Sequence, residues 1–130
     1  MANIAQTDII LTDPRPDEVL TLAEELRDEY PYLTATIISG EYVCIDTKWK
    51  PATDLALAIC ERLQADATIV WSELGNHGVG CIYVQHVEGV QRASQTFTHD
   101  TPTSLADIQY IIATEPLLAD HVSFMEEDYE

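Results

Sequence analysis

The amino-acid sequence predicts a single α+β domain. Three observations support this prediction: the length, the hydrophobic content and the order of the strand-like and helix-like patterns. A chain of 130 residues has the size of one domain. Hydrophobic residues make up 46% of it, which is enough for a core despite a formal net charge of −17. The patterns run β-α-β-β-α-β, followed by further strands and a C-terminal helix. This order indicates a ferredoxin-like, or split βαβ, core with extra antiparallel strands.

The first strand and the first helix have the clearest boundaries. Residues 4–11 form a strand-like run that ends at Asp13-Pro14. Prolines and acids then mark a helix start, because proline fits the first turn and acids interact favourably with the helix dipole. Between residues 17 and 30, apolar side chains recur at three- and four-residue steps, which is the pattern of an amphipathic helix. Pro31 ends this helix.

A hairpin, a second helix and another strand follow. β-branched and aromatic residues at 32–39 and 41–47 flank Gly40, which predicts two strands joined by a turn. Residues 52–64 carry apolar side chains at positions i, i+4 and i+8, the spacing of a helix face. The side chains of residues 67–73 would alternate between the two faces of an extended backbone, and this pattern predicts a strand.

The last third of the chain predicts a second hairpin and a helical end. Strands at 79–87 and 90–97 are joined by a tight Glu-Gly turn. A third helical pattern is interrupted by Pro116, after which a short turn follows. We therefore expect one domain over residues 1–125 and a frayed acidic tail over residues 126–130.

The net charge excludes several function classes. With 6 Lys and Arg against 23 Asp and Glu, the chain has too few cations to neutralise many phosphates, so direct binding of nucleic acid or of an anionic membrane is disfavoured. No apolar run approaches the roughly 18 residues of a membrane-spanning helix, and the N-terminus lacks the pattern of a signal peptide. Three cysteines without a CxxC motif suit a reducing compartment, so we expect a cytoplasmic protein.

The acids are unevenly distributed along the chain. Residues 1–30 carry eight acids and two arginines, residues 31–50 are neutral overall, and residues 101–130 carry seven acids and no Lys or Arg. On the first helix the acids fall on the face opposite the apolar side chains, where they repel one another. The predicted partner-binding residues are these helix acids and the acids near the C-terminus: Asp17, Glu18, Glu24, Glu25, Asp28, Glu29, Asp120, Glu126, Glu127 and Asp128.

Three interpretations of this charge are open. It can keep the protein soluble, it can adapt the protein to high salt, or it can imitate a nucleic-acid backbone. Duplex DNA presents about one negative charge per 1.7 Å of axis, so rows of carboxylates can occupy a basic nucleic-acid-binding groove. The leading function hypothesis is a non-enzymatic nucleic-acid mimic that blocks a host DNA- or RNA-binding protein, in a defence complex or of chromatin type. The alternative is an acidic domain that binds another protein through its sheet or loops, and a small enzyme using His77 or Cys81 ranks third.

The middle of the chain carries the motif Asp-Thr-Lys-Trp-Lys-Pro at 46–51, a strand-like run at 67–73, a glycine-rich turn at 75–80 and a further strand-like run after it. In these features it resembles a ferredoxin-like domain family of uncharacterised phage- and plasmid-borne proteins. In the family pattern, the tryptophan is followed by Ser-Pro-Pro, whereas Lys50 and Ala52 replace the serine and the second proline here. The resemblance covers about half of the chain. It implies a ferredoxin-like fold and a protein carried on a mobile genetic element, but it does not imply any particular activity.

No catalytic residue, metal site or cofactor is predicted. Cys81 and His86 lie five residues apart on one strand and therefore point to opposite faces, so they do not suit a shared metal. The glycine-rich run at 75–80 opens a strand and lacks a following Lys-Ser/Thr, which favours a flexible loop over a phosphate cradle. The other candidates are interpreted as follows: Cys44, Cys60 and Cys81 as small buried side chains, and His99 and His121 as surface residues.

The functional role of three further sets of residues depends on how the fold arranges them in space. Asp46 with His86, or Glu73 with His77, would form an acid–base pair only if the fold brings them together. Trp49 would anchor an interface if it is exposed beside its two lysine neighbours. The oligomeric state is left open, with a dimer among the options.

Overall fold

A computed structural model describes residues 4–30, 33–48 and 50–129 of the chain. The strands are β1 (Ile4–Leu11), β2 (Leu33–Ser39), β3 (Tyr42–Lys48), β4 (Ala67–Glu73), β5 (Gly78–Val87) and β6 (Val90–His99). The α-helices are α1 (Pro16–Glu25), α2 (Thr53–Leu63), α3 (Leu105–Thr114) and α4 (Ala119–Val122). Short 3-10 helices cover Arg27–Glu29, Pro116–Leu118 and Ser123–Tyr129. Within these described ranges, no helix is both long enough and apolar enough to span a membrane.

The strands form one antiparallel sheet in the order β2-β3-β1-β4-β5-β6. β1 lies inside the sheet and pairs antiparallel with β3 on one side and β4 on the other. The remaining neighbours are joined as hairpins, β2 to β3, β4 to β5 and β5 to β6. The predicted α+β class is therefore confirmed. The sheet, with β5 and β6 added beside β4, is larger than that of a simple split βαβ unit.

Helices α1 and α2 cover one face of this sheet. Because side chains alternate along a strand, Ile9 and Leu11 of β1 point to the same face as Ile69 and Trp71 of β4. Helix α1 packs above β2 and β3, whereas α2 packs above β1 and β4. The helices contribute the buried side chains of Val19, Ala23, Leu55, Ala56, Ile59 and Cys60 to this first core.

The C-terminal segment covers part of the opposite face. Val70 of β4 and Val79 and Cys81 of β5 point away from the first core and are buried beneath α3, α4 and the turns next to them. This second core is completed by Ile108, Ile111, Leu118 and Val122. The sheet thus has a helical layer on each face, and the two layers are built from different parts of the chain.

Two predicted segments differ most from the structure, the first helix and the C-terminal tail. The first helix was predicted to reach residue 30, but α1 ends at Glu25 and a 3-10 turn follows. Carboxylates at the end of a helix oppose its dipole, and α1 has acids and no basic residue in its last turn. The frayed tail predicted from residue 126 is instead a 3-10 helix through Tyr129, in which Met125 packs against the second core.

Gly80 makes room for the indole of Trp71. The two residues face each other across β4 and β5, and a Cβ at Gly80 would overlap Cε2 and Cζ2 of the Trp71 ring. Trp71 is 8% exposed, so its large ring has little space to move.

We expect Gly80→Ala to lower the free energy of unfolding by about 2 kcal/mol, measured by urea denaturation. In a Trp71→Leu background, where the ring is absent, the same substitution should cost far less. An equal loss in both backgrounds would contradict this explanation.

Candidate functional site

The six predicted acids of residues 17–29 are all exposed. Within the described part of the chain, the only ion pair among them joins Glu18 to Arg15 at 3.2 Å. Two further arginines are near, because Arg27 lies in the same segment and Arg62 lines the groove between α1 and α2. Acids therefore outnumber cations two to one on this surface. We call it the α1 acidic surface, and it consists of Asp17, Glu18, Glu24, Glu25, Asp28 and Glu29.

The α1 acidic surface does not form one continuous helical stripe. Asp17 and Glu18 lie in the first turn of α1, where they interact favourably with its dipole. Glu24 and Glu25 end the helix, and the 3-10 turn at Arg27–Glu29 carries the other two acids. The set is therefore arranged along a helix and a differently wound turn, above the β2 end of the sheet.

The C-terminal acids lie in the other helical layer. Asp120 belongs to α4, and Glu126, Glu127 and Asp128 belong to the 3-10 helix that follows it. Asp120, Glu127 and Asp128 are exposed, whereas Glu126 is partly buried. Because α4 covers the sheet face opposite α1, the structure separates the ten predicted residues into two groups on opposite sides of the sheet.

The glycine-rich loop between β4 and β5 is held by a buried carboxylate. Glu73 is 1% exposed, and its Oε1 accepts the backbone N–H of Gly75 at 2.7 Å. Its Oε2 accepts the N–H groups of Asn76 and His77 at 2.7 and 2.9 Å. The Nδ1 of His77 lies 2.8 Å from the same oxygen, so Glu73 and His77 do form a pair. This geometry was not expected from the sequence, which predicted a flexible loop.

Convergent backbone N–H groups of this kind form an anion-binding nest. Here the anion is the Glu73 carboxylate of the same chain, so the nest is filled and does not offer a phosphate site. Burial on its own would raise the pKa of Glu73. The hydrogen bonds from the Asn76 backbone, the His77 ring, the His77 backbone and the Gly75 backbone outweigh it and lower the pKa to about 2.

A second buried polar centre joins three distant parts of the chain. The Nε2 of His121 lies 2.8 Å from Oδ2 of Asp8, and its Nδ1 lies 2.7 Å from Oγ of Ser72. The three residues are 2%, 7% and 4% exposed, respectively. The prediction that His121 is a surface residue is therefore wrong. The signal in the sequence is its spacing, since His121 follows the buried Leu118 by three positions.

The arrangement of Ser72, His121 and Asp8 contains the three side-chain types of a hydrolytic triad. A cleft of about 300 Å³ lies beside it, lined in part by Gln6 and Phe124. However, Ser72 is buried inside a strand that is paired on both sides. The backbone N–H of Gly75, which lines the same cleft as Ser72, already donates to Glu73 and is therefore not free to stabilise an oxyanion. The geometry thus favours a structural role, in which His121 attaches α4 to β1 and β4.

The cysteines have the environment of structural residues. Cys60 and Cys81 are buried, as predicted, while Cys44 is partly buried. Burial raises the pKa of all three thiols, to about 11 for Cys60, and the carboxylates of Asp8 and Asp46 raise that of Cys44 further. A protonated thiol is a poor nucleophile and a poor metal ligand. In the part of the chain that the structure covers, no group of three His, Cys, Asp or Glu side chains is placed to hold a metal ion.

The other pair considered, Asp46 with His86, does not form. Asp46 lies on β3 beside Cys44, whereas His86 lies on β5, with β1 and β4 between them in the sheet. The Nε2 of His86 is instead 3.4 Å from Oε2 of Glu61 on α2. The proposed interface anchor Trp49 lies outside the described residues.

No protein-family model, curated protein or solved structure matches this chain. The resemblance to the ferredoxin-like family of phage and plasmid proteins therefore stays a prediction.

Proposed function

We propose that the protein is a non-enzymatic acidic binding protein that imitates the charge of a nucleic-acid backbone. Its target would be a protein with a basic nucleic-acid-binding surface, which it would block by competition. The observation that carries the proposal is the exposure of all six acids of the α1 acidic surface, of which only Glu18 is in an ion pair within the described residues. Such a surface attracts a basic partner over a distance and makes association fast and sensitive to salt.

The two groups of acids would have different roles. The α1 acidic surface is the principal contact, because its acids follow one another along a single segment above one end of the sheet. The C-terminal acids face the other way and would contact only a partner that reaches around the sheet. Neutralising one group of acids while keeping the other therefore shows whether binding depends on the α1 acidic surface or only on the net charge of the protein.

The test compares two variants that lose the same charge. The first carries Glu24→Gln, Glu25→Gln, Asp28→Asn and Glu29→Gln, and the second carries Asp120→Asn, Glu126→Gln, Glu127→Gln and Asp128→Asn. The first variant should keep its fold, because it removes carboxylates that oppose the dipole at the end of α1. We expect the immobilised wild-type protein to capture basic nucleic-acid-binding proteins from a bacterial lysate, and duplex DNA to displace them.

Affinity for a captured partner should fall about a hundredfold in the first variant and much less in the second, with isothermal titration calorimetry as the measurement. The wild-type affinity should also weaken as salt rises. If the two variants lose affinity equally, net charge rather than the α1 acidic surface is responsible. If nothing basic is captured, or if DNA does not displace it, the proposal of mimicry is wrong.

The alternative is an acidic domain that binds another protein through its sheet. The observation in its favour is a set of exposed apolar side chains on β5 and β6, namely Tyr83, Val87 and Val90. Under this alternative, capture would persist in both charge variants and at high salt.

The finer fold assignment and the setting belong to the same proposal. A ferredoxin-like core is supported by the order β2-β3-β1-β4 within the larger sheet and by two helices on one face. A mobile-element protein acting in the cytoplasm is consistent with the motif at 46–51 and with the three free thiols.

A further inference from the structure

We infer that β6 is a self-association edge, along which two copies of the chain pair antiparallel and join their sheets into one. This inference does not depend on the proposed function. It concerns a different end of the sheet from the α1 acidic surface.

Strand β6 has little of the usual protection of a sheet edge over residues 90–95, which pair regularly with β5 before the β-bulge at Thr96. Among the residues that the structure describes it is the last strand of the sheet, so the N–H and C=O groups on its outer side have no partner strand there. Natural edge strands are blunted by lysine, proline or charged side chains. The ten residues of β6 contain one arginine, no lysine, no proline and no acid, although the whole chain has a net charge of −17. Val90, at its start, is 57% exposed.

The α1 acidic surface makes β2 a less favourable edge for self-association than β6. The α1 acidic surface lies above β2 and β3, at the opposite end of the sheet. Five strand spacings separate β2 from β6, which is about 24 Å, whereas the screening length at physiological salt is about 8 Å. Pairing through β6 therefore keeps the two α1 acidic surfaces far apart, and pairing through β2 would bring them together. The acids nearest to β6 along the chain, Glu88 and Asp100, lie just beyond its two ends.

The hairpin geometry shows which backbone groups are available. Glu88 and Gly89 have φ values of 53° and 78° and form a two-residue turn between the paired residues Val87 and Val90. In such a hairpin the closing pair is hydrogen-bonded, and the N–H groups then point alternately toward the partner strand and away from it. Ala93 therefore directs its N–H outward, and its side chain is exposed.

The test uses proline at matched positions of the two edges. Ala93→Pro removes an outward N–H of β6 without breaking the β5–β6 ladder. Thr36→Pro does the same on β2, since counting from the closing pair Ser39–Tyr42 also places the N–H of Thr36 outward. Ala93→Glu is a second variant that leaves the backbone intact and adds a negative charge to each copy at the contact. Circular dichroism checks the fold of each variant.

Sedimentation and light scattering of the full chain should give a mass of twice 14.5 kDa at high concentration. The dimer should strengthen with salt, because salt screens the repulsion between two acidic copies. We expect Ala93→Pro and Ala93→Glu to raise the dimer Kd at least tenfold and Thr36→Pro to leave it unchanged. A wild-type chain that is monomeric at every concentration and salt, or a dimer that only Thr36→Pro disrupts, would overturn the inference.

The outcome is distinguishable from that of the charge variants. Capture of a basic partner weakens with salt, whereas dimerisation through β6 strengthens with it. Neutralising Glu24, Glu25, Asp28 and Glu29 should leave the dimer intact.

Discussion

Replacing His121 with alanine is expected to lower the free energy of unfolding by about 4 kcal/mol, because it leaves two buried polar groups without their partner. The carboxylate of Asp8 and the hydroxyl of Ser72 each have a hydrogen bond of less than 3 Å to the His121 ring. The ring is 2% exposed, so its two hydrogen bonds are shielded from solvent in the folded protein. Small domains are stable by about 5–15 kcal/mol, so this loss is a large part of the total. Urea denaturation followed by tryptophan fluorescence measures it.

A neighbouring substitution serves as the control. Ser123 is exposed and lies two residues further along the chain, so Ser123→Ala should change stability by less than about 0.5 kcal/mol. Asp8→Asn, alone and combined with His121→Ala, completes a double-mutant cycle. The two changes should be strongly non-additive because they remove the same contact. A His121→Ala variant as stable as the control, or strictly additive effects, would show that this centre does not hold α4 to the sheet.

Glu73→Gln is expected to cost about 3 kcal/mol at neutral pH. The amide keeps the shape of the side chain, but its NH2 group replaces one of the two acceptor oxygens and faces at least one backbone N–H group. The amide also lacks the charge that strengthens all of these hydrogen bonds. His77→Ala is the matched comparison, since it removes only the ring contact at 2.8 Å and leaves the three backbone N–H bonds in place. It should therefore cost clearly less than Glu73→Gln.

The pH dependence gives an independent check. The pKa of Glu73 is lowered to about 2 in the folded protein, below the ordinary value of 4.5. The stabilisation from its ionised form is thus fully present above pH 4.5 and is lost as the pH falls toward 2. Other carboxylates also titrate there, so the informative quantity is the difference between wild type and Glu73→Gln. That difference should shrink as the pH falls, and a constant difference would contradict the role of the charge.

Local patterns were enough to predict most of the elements. The predicted limits of the strands at 4–11 and 67–73 coincide with those of β1 and β4, because alternating runs end there at turn residues. Helix α1 was predicted five residues too long, since the apolar spacing continues into the 3-10 turn and does not reveal the change in winding. Helical periodicity reports which residues face the core, and it is less sensitive to how the backbone is hydrogen-bonded.

The functional surfaces were harder to predict, because they depend on contacts between distant residues. Asp8 and His121 are separated by 113 positions, and no local pattern connects them. The distribution of acids along the chain predicted two charged segments correctly, but it does not state on which face of the sheet each segment lies. Only the packing of α1 and α4 on opposite faces separates the two groups. The Glu73 contacts are local, yet they depend on a turn geometry that the residues of the loop do not specify by themselves.

The late position of the second helical layer in the chain has a consequence for how the protein is synthesised. All six strands and both helices of the first layer lie before residue 100, so they leave the ribosome before α3 and α4. During that interval Val70, Val79 and Cys81 form an apolar surface with nothing covering it. Arrival of the C-terminal segment closes this surface, and the bond of His121 to Asp8 secures it. Chaperone dependence is therefore expected to be greatest just before the last thirty residues emerge.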